Sequence, residues 1–127
     1  MSHVYPLAKQ AFESGTINLP ADTIRIVFLS SAYTYSPAHQ FYSDLGGIIG
    51  TASGALGTKT VVQGVFDAAD ITLVSVPTGN TITQIAGYKD TGTTTTSPLI
   101  WVHDGLNQAT NGGDIQVQWN ASGIFAL

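Results

Sequence analysis

The chain has 127 residues, and only 9% of them are Asp, Glu, Lys or Arg, against roughly 25% in an ordinary soluble domain. Four Lys and Arg, eight Asp and Glu and no Cys leave no basic patch for nucleic acid, no disulfide, no thiolate nucleophile and no Cys-ligated zinc. A hydrophobic share of 43% is enough for a core, so one β-rich domain over residues 1–127 is expected, with a polar surface of Thr, Ser, Asn, Gln and Gly.

In chain order, residues 5–14 read as a helix. Pro6 suits a first turn, Leu7, Ala8, Ala11 and Phe12 form an apolar stripe at helical spacing, and Gly15 is a stop. No basic segment followed by an apolar run opens the chain, so no signal peptide is expected. Residues 23–30 read as a strand apolar on both faces, with Ile24, Ile26 and Phe28 on one and Arg25, Val27 and Leu29 on the other. Ser36-Pro37 predicts a second short helix, with Phe41 and Leu45 on one face and Gly46-Gly47 at its end. Residues 48–59 are rich in Gly, Ala and Ser. They read either as a hairpin excursion or as an arm that orders on assembly.

Beyond residue 60 the pattern is β, with strands expected at 60–63, 71–76, 82–89, 99–103 and 114–121 and a short last one near Phe125. Turn signals at 77–80, 90–92 and 111–113 separate them. In the 114–121 run Ile115, Val117 and Trp119 alternate toward a core. The expected fold is mainly β, an antiparallel β-sandwich or barrel with one or two short helices near the N-terminus.

Chemistry is sparsely signalled. Asp67 and Asp70 are separated by two alanines that supply no ligand, so a turn capped by carboxylates is favoured over a metal site. His103 and Asp104 are adjacent on a strand end and point to opposite faces, which is unsuited to a base and its orienting acid. His39 and Asp44 are five apart, off the helical spacing that shares a face, and His3 has no partner in sequence. No catalytic residue, no metal site and no cofactor is expected. The run Thr93–Thr96 reads as a hydroxyl-rich surface loop. Tyr33, Tyr35 and Tyr42 are interface candidates, because tyrosine gives large contact area with a polar tip. The other reading is a helix packed over a barrel mouth with its Tyr hydroxyls wet. Trp101, on a late strand, is a further interface candidate, whereas Phe41 and Trp119 read as core.

Several runs, taken together, resemble a family of small virion structural proteins of tailed bacteriophages and prophages. They are Tyr5-Pro-Leu-Ala-Lys-Gln-Ala-Phe12, Asp22-Thr-Ile-Arg-Ile-Val27, Tyr33-Thr-Tyr-Ser36, Ala38-His-Gln-Phe41, Ser43-Asp-Leu45, Gly64-Val-Phe-Asp-Ala-Ala-Asp70, Tyr88-Lys-Asp-Thr-Gly92, Ser97-Pro-Leu-Ile100, Gly112-Gly-Asp-Ile115, Gln118-Trp119 and Ile124-Phe-Ala-Leu127. Residues 99–111, with Trp101-Val-His103, depart from the pattern. The resemblance implies a capsid decoration (cement) protein that is not an enzyme. Its implied partners are the major capsid protein and copies of itself, a trimer being favoured, with no nucleic acid and no membrane. The implied location is the virion, assembled in the host cytoplasm. The alternative is a virion fibre, spike or tail-associated adhesin that binds host surface glycan.

Overall fold

The alternation of Ile24 through Leu29 decides the architecture, because a strand apolar on both faces needs a layer on each side. The computed structural model describes residues 2–126. It is mainly β and antiparallel throughout, and among the described residues no barrel closes.

The elements in chain order are β1 (Ser2–Val4), α1 (Pro6–Glu13), β2 (Ile24–Leu29), a 3-10 turn (Tyr42–Asp44), β3 (Ile48–Ile49), β4 (Thr60–Val62), β5 (Val65–Asp67), β6 (Ile71–Leu73), β7 (Thr81–Ile82), β8 (Gln84–Lys89), β9 (Leu99–His103), β10 (Gln108–Ala109), β11 (Ile115–Val117) and β12 (Phe125–Ala126). Five strands make the main sheet, in the order β1-β9-β8-β2-β3. Three smaller sheets, β12-β5-β4, β11-β6 and β10-β7, supply the second layer of a sandwich-like stack.

The larger core lies between these layers. Ile24, Ile26, Phe28, Ile85 and Trp101 of the main sheet meet Phe66, Leu73, Ile82, Val117 and Phe125 of the smaller ones. At its centre Trp101 is fully buried and crosses Gly87, its register partner. A Cβ on Gly87 would come within 2.2 Å of the indole ring. The glycine is therefore what lets the ring lie flat on the neighbouring strand. Just beyond, the register slips by one residue at Gly87/Tyr88, so Ile100 and Trp101 both enter the same core. The total accessible surface is 6382 Å², close to the roughly 6,450 Å² that scaling gives for a folded monomer of this mass.

α1 forms where the sequence predicts it. Pro6 begins it, Ala8 is buried, and Leu7, Ala11 and Phe12 are half-buried. Its end is a Schellman motif in which Thr16 N–H reaches the Ala11 carbonyl and Gly15 N–H that of Phe12, with Gly15 at φ 79.

The second predicted helix does not form. Only the 3-10 turn lies there, because tertiary partners claim the backbone first. Phe41 is extended and bridges Pro98, the Gln40 carbonyl accepts from Leu99 N–H, and Tyr42 N–H donates to the Ser97 carbonyl. Ser36 instead caps a turn, its hydroxyl accepting from Ala38 N–H. The predicted strand 114–121 shortens to β11 and the 71–76 strand to β6. The 82–89 strand divides into β7 and β8. β1, β5 and β10 form at positions where no strand is predicted. The Gly-rich stretch contributes β3, and its Ser53 and Leu56 N–H groups bond to Ile26 and Ile24 carbonyls.

Candidate functional site

The second face of the main sheet belongs to tyrosine. Val27 and Leu29 of β2, Ala86 and Tyr88 of β8, and Leu99 and Val102 of β9 form its floor. Over it lie Tyr5, Tyr33, Tyr35 and Tyr42, so all five tyrosines of the chain gather on one side. The cover is α1 together with an irregular strap, residues 30–47.

With few ladder bonds of its own, the strap is held by side chains. The Gln84 amide donates to the Tyr33 carbonyl at 2.8 Å and to the Ser30 carbonyl at 3.2 Å. The Tyr5 and Tyr33 hydroxyls are 2.6 Å apart, and the Tyr33 hydroxyl lies 2.7 Å from His39 Nδ1. The Tyr33 hydroxyl thus bridges Tyr5 and His39, and a chain of donated protons satisfies both contacts in either direction. The Tyr42 ring packs on Tyr88 at 4.7 Å, and His3 stacks on Tyr35 at 4.2 Å. Asp44 ends the strap by accepting from Gln40 and Phe41 N–H, and those backbone donors hold its carboxyl below the usual range.

Burial drives the electrostatics of this layer. It raises Tyr5, Tyr33 and Tyr42 above the ordinary phenol value, and Tyr88 is pushed up to about 12. Burial thus keeps these hydroxyls protonated at neutral pH.

Of the predicted interface residues, Tyr33 is 4% exposed and part of the core, while Tyr35 and Tyr42 are half-buried at the rim. The sequence reading of Trp101 is corrected. It is fully buried and faces the opposite core, across the sheet from the tyrosines. Tyr5 and Tyr88 belong to the layer and were not singled out by the sequence. The signal available was period two in β8, which puts Tyr88 on the face of Ala86.

The polar candidates are spent on structure. Asp67 accepts from Ala68 N–H and Asp70 from Trp119 N–H, both at 2.9 Å. Trp119, half-buried, also donates its indole N–H to the Ala69 carbonyl and meets Trp101 edge-on. His3 pairs with Asp104 at 3.6 Å, and burial lowers His103 below the usual imidazole value. Arg25 donates to Asp90 at 2.7 Å and to the Ser53 carbonyl. Lys89 pairs with Asp22 at 3.3 Å, and Lys59 donates to the Asp22 carbonyl. Among the described residues no group of three or more His, Asp or Glu gathers as a metal site, and no helix is long and apolar enough to cross a membrane.

Exposed large apolar side chains are scattered, at Ile48, Val74 and Leu106, and only β4 places two side by side. β4 and β5 form a tight hairpin whose two loop residues, Gln63 and Gly64, both have positive φ. All three residues of β4 are exposed, Val61 by 46% and Val62 by 64%.

No protein-family model matches the chain, and neither a curated protein nor a solved structure is significantly similar to it.

Proposed function

We propose that this chain is a structural subunit of a virus particle, a capsid decoration (cement) protein of the tailed-phage type that binds the assembled shell and bridges its capsomers. One observation carries the reading: the chain has almost no charge to spare. Of four Lys and Arg, Arg25, Lys59 and Lys89 are engaged within the fold. Beyond Lys9, Glu13 and a few carboxylates such as Asp70 and Asp114, the exposed polar surface is mostly hydroxyl and amide. Such a surface enters a protein contact without the cost of stripping water from ions. The resemblance of the sequence runs supplies the phage origin.

The mechanism is linkage. A protein that binds only the assembled shell stabilises that state by mass action. A closed homo-oligomer of this chain, a trimer on local three-fold axes, touches several major capsid subunits at once and gains avidity. The half-buried Tyr35 and Tyr42 supply contact area at the strap. Tyr35→Ala and Tyr42→Ala are expected to weaken particle binding while unfolding stays cooperative. Unchanged binding in both removes the tyrosines from the contact.

The deciding experiment is quantitative mass spectrometry of purified particles from the source of the sequence. Abundance near that of the major shell protein supports decoration. A few copies per particle favours the fibre, spike or adhesin reading. Absence from particles overturns both.

A further inference from the structure

β4 is the outer strand of its sheet, and its edge is open in a specific way. Val61 stands opposite Phe66, and the Phe66 carbonyl accepts the N–H of Ile124 at 2.7 Å from the far side, where β12 lies. In an antiparallel ladder alternate residues turn their backbone groups toward and away from a given neighbour. Phe66 therefore turns away from β4, and Val61 turns its own N–H and C=O away from β5, onto the free edge. Among the described residues nothing pairs with them there. Of the usual safeguards of an edge, β4 has only its shortness, three residues, and carries no charge, proline or bulge. Lys59, the nearest cation, is drawn back onto the Asp22 carbonyl. Val61 lies on the face of the buried Phe66 yet is 46% exposed, so the core is uncovered at this rim.

We propose that this edge pairs with the same edge of a second copy, antiparallel, about a two-fold axis through Val61. The outward groups are one donor and one acceptor on a single residue, so two copies satisfy each other by exchanging both bonds. The contact is also neutral. No charged side chain lies between Thr60 and Gly64, so two chains of net charge -4 meet without like charges at the seam, and a strongly charged partner finds nothing to pair with. Val61 of each copy covers the core rim that the other leaves open, while Val62 lies on the opposite face of the joined edge. A three-residue edge buries far less than the roughly 1,200 Å² of a stable interface. The pairing is therefore weak and concentration-dependent in solution, and gains strength only where copies are already arrayed. It does not depend on the shell reading.

The test is a concentration series on the purified chain. With increasing concentration the backbone amide resonance of Val61 is expected to shift, while those of Thr60 and Val62, bonded to β5, stay in place. In sedimentation the weight-average mass is expected to rise toward about twice its dilute value. Val61→Pro removes the outward N–H and spares the bonds to β5, and is expected to hold the dilute mass. Val62→Lys, which leaves the backbone untouched, is expected to do the same if the proline variant does not fold. A mass that stays flat into the millimolar range overturns the proposal. So does association that survives both variants, or that leaves the Val61 amide unshifted. Particle stoichiometry is read separately, so either idea can fail alone.

Discussion

The two faces of the main sheet are built from the same strands and closed in opposite ways. On the Trp101 face the cover is mainly other strands, with Phe12 of α1 stacked on Phe125 at one side, and adhesion comes from hydrocarbon and aromatic rings: Trp101 lies 5.3 Å from Phe125 and 5.9 Å from Phe66. On the tyrosine face the cover is a helix and an irregular strap, and a relay of hydroxyls and an imidazole fastens it. Strands satisfy their own backbones, so they can be glued down by apolar surface alone. A strap cannot, and needs side chains that are apolar in the body and polar at the tip. The concentration of all five tyrosines on one side follows from that need.

The contrast can be broken by substitution. Trp101→Ala is expected to cost about 3–5 kcal/mol, the range for a buried aromatic, measured by denaturant unfolding. A loss below about 1 kcal/mol would show that the indole is not the centre of its core. Gly87→Ala should cost about 3 kcal/mol, the upper range for overpacking, because the new methyl meets the indole at 2.2 Å. The double variant should cost less than the sum, since removing the ring makes room for the methyl.

The tyrosine face is expected to fail with pH. A phenol whose folded value is raised keeps its proton in the fold and loses it more easily when unfolded. Its stabilisation is complete below about pH 10 and is lost as pH rises through the folded value. With Tyr88 at about 12, that residue alone accounts for about 2–3 kcal/mol. Phenolate absorbance should appear together with loss of the fold. Independent titration of these rings near pH 10 with the fold intact would contradict the burial argument.

Tyr33→Phe leaves Tyr5 and His39 without their shared partner and is expected to cost about 1–3 kcal/mol. The loss should show first as faster amide exchange in the strap. If exchange rises equally on the Trp101 face, the two layers do not open independently. The smallest effect is a gain. Thr83 Oγ1 is buried with no partner among the described residues, so Thr83→Val should raise stability by about 1 kcal/mol.

How much of this was legible follows from the range of the signals. The two-faced pattern of Ile24–Leu29 and the stripe of α1 are local, and both elements formed as read. Ser36-Pro37 is local too, and it misled, because Gln40 and Tyr42 found backbone partners near Ser97 and Leu99, more than fifty residues away. The candidate tyrosines were legible as a cluster at 33–42. Their depth was not, since it depends on Tyr5 and Tyr88 arriving from distant strands.

By itself the sequence determined a β-rich chain with almost no charge, one N-terminal helix and one strand that must be covered on both sides. Those properties are set by composition and by the spacing of neighbours. Only the tertiary structure decided that Trp101 faces away from the tyrosines, that Gly87 gives its ring room, and that Val61 turns an unpaired backbone to the outside. Each of these depends on strand register: that of β8 with β9, including its one-residue slip at Gly87/Tyr88, for Trp101 and Gly87, and that of β4, β5 and β12 for Val61.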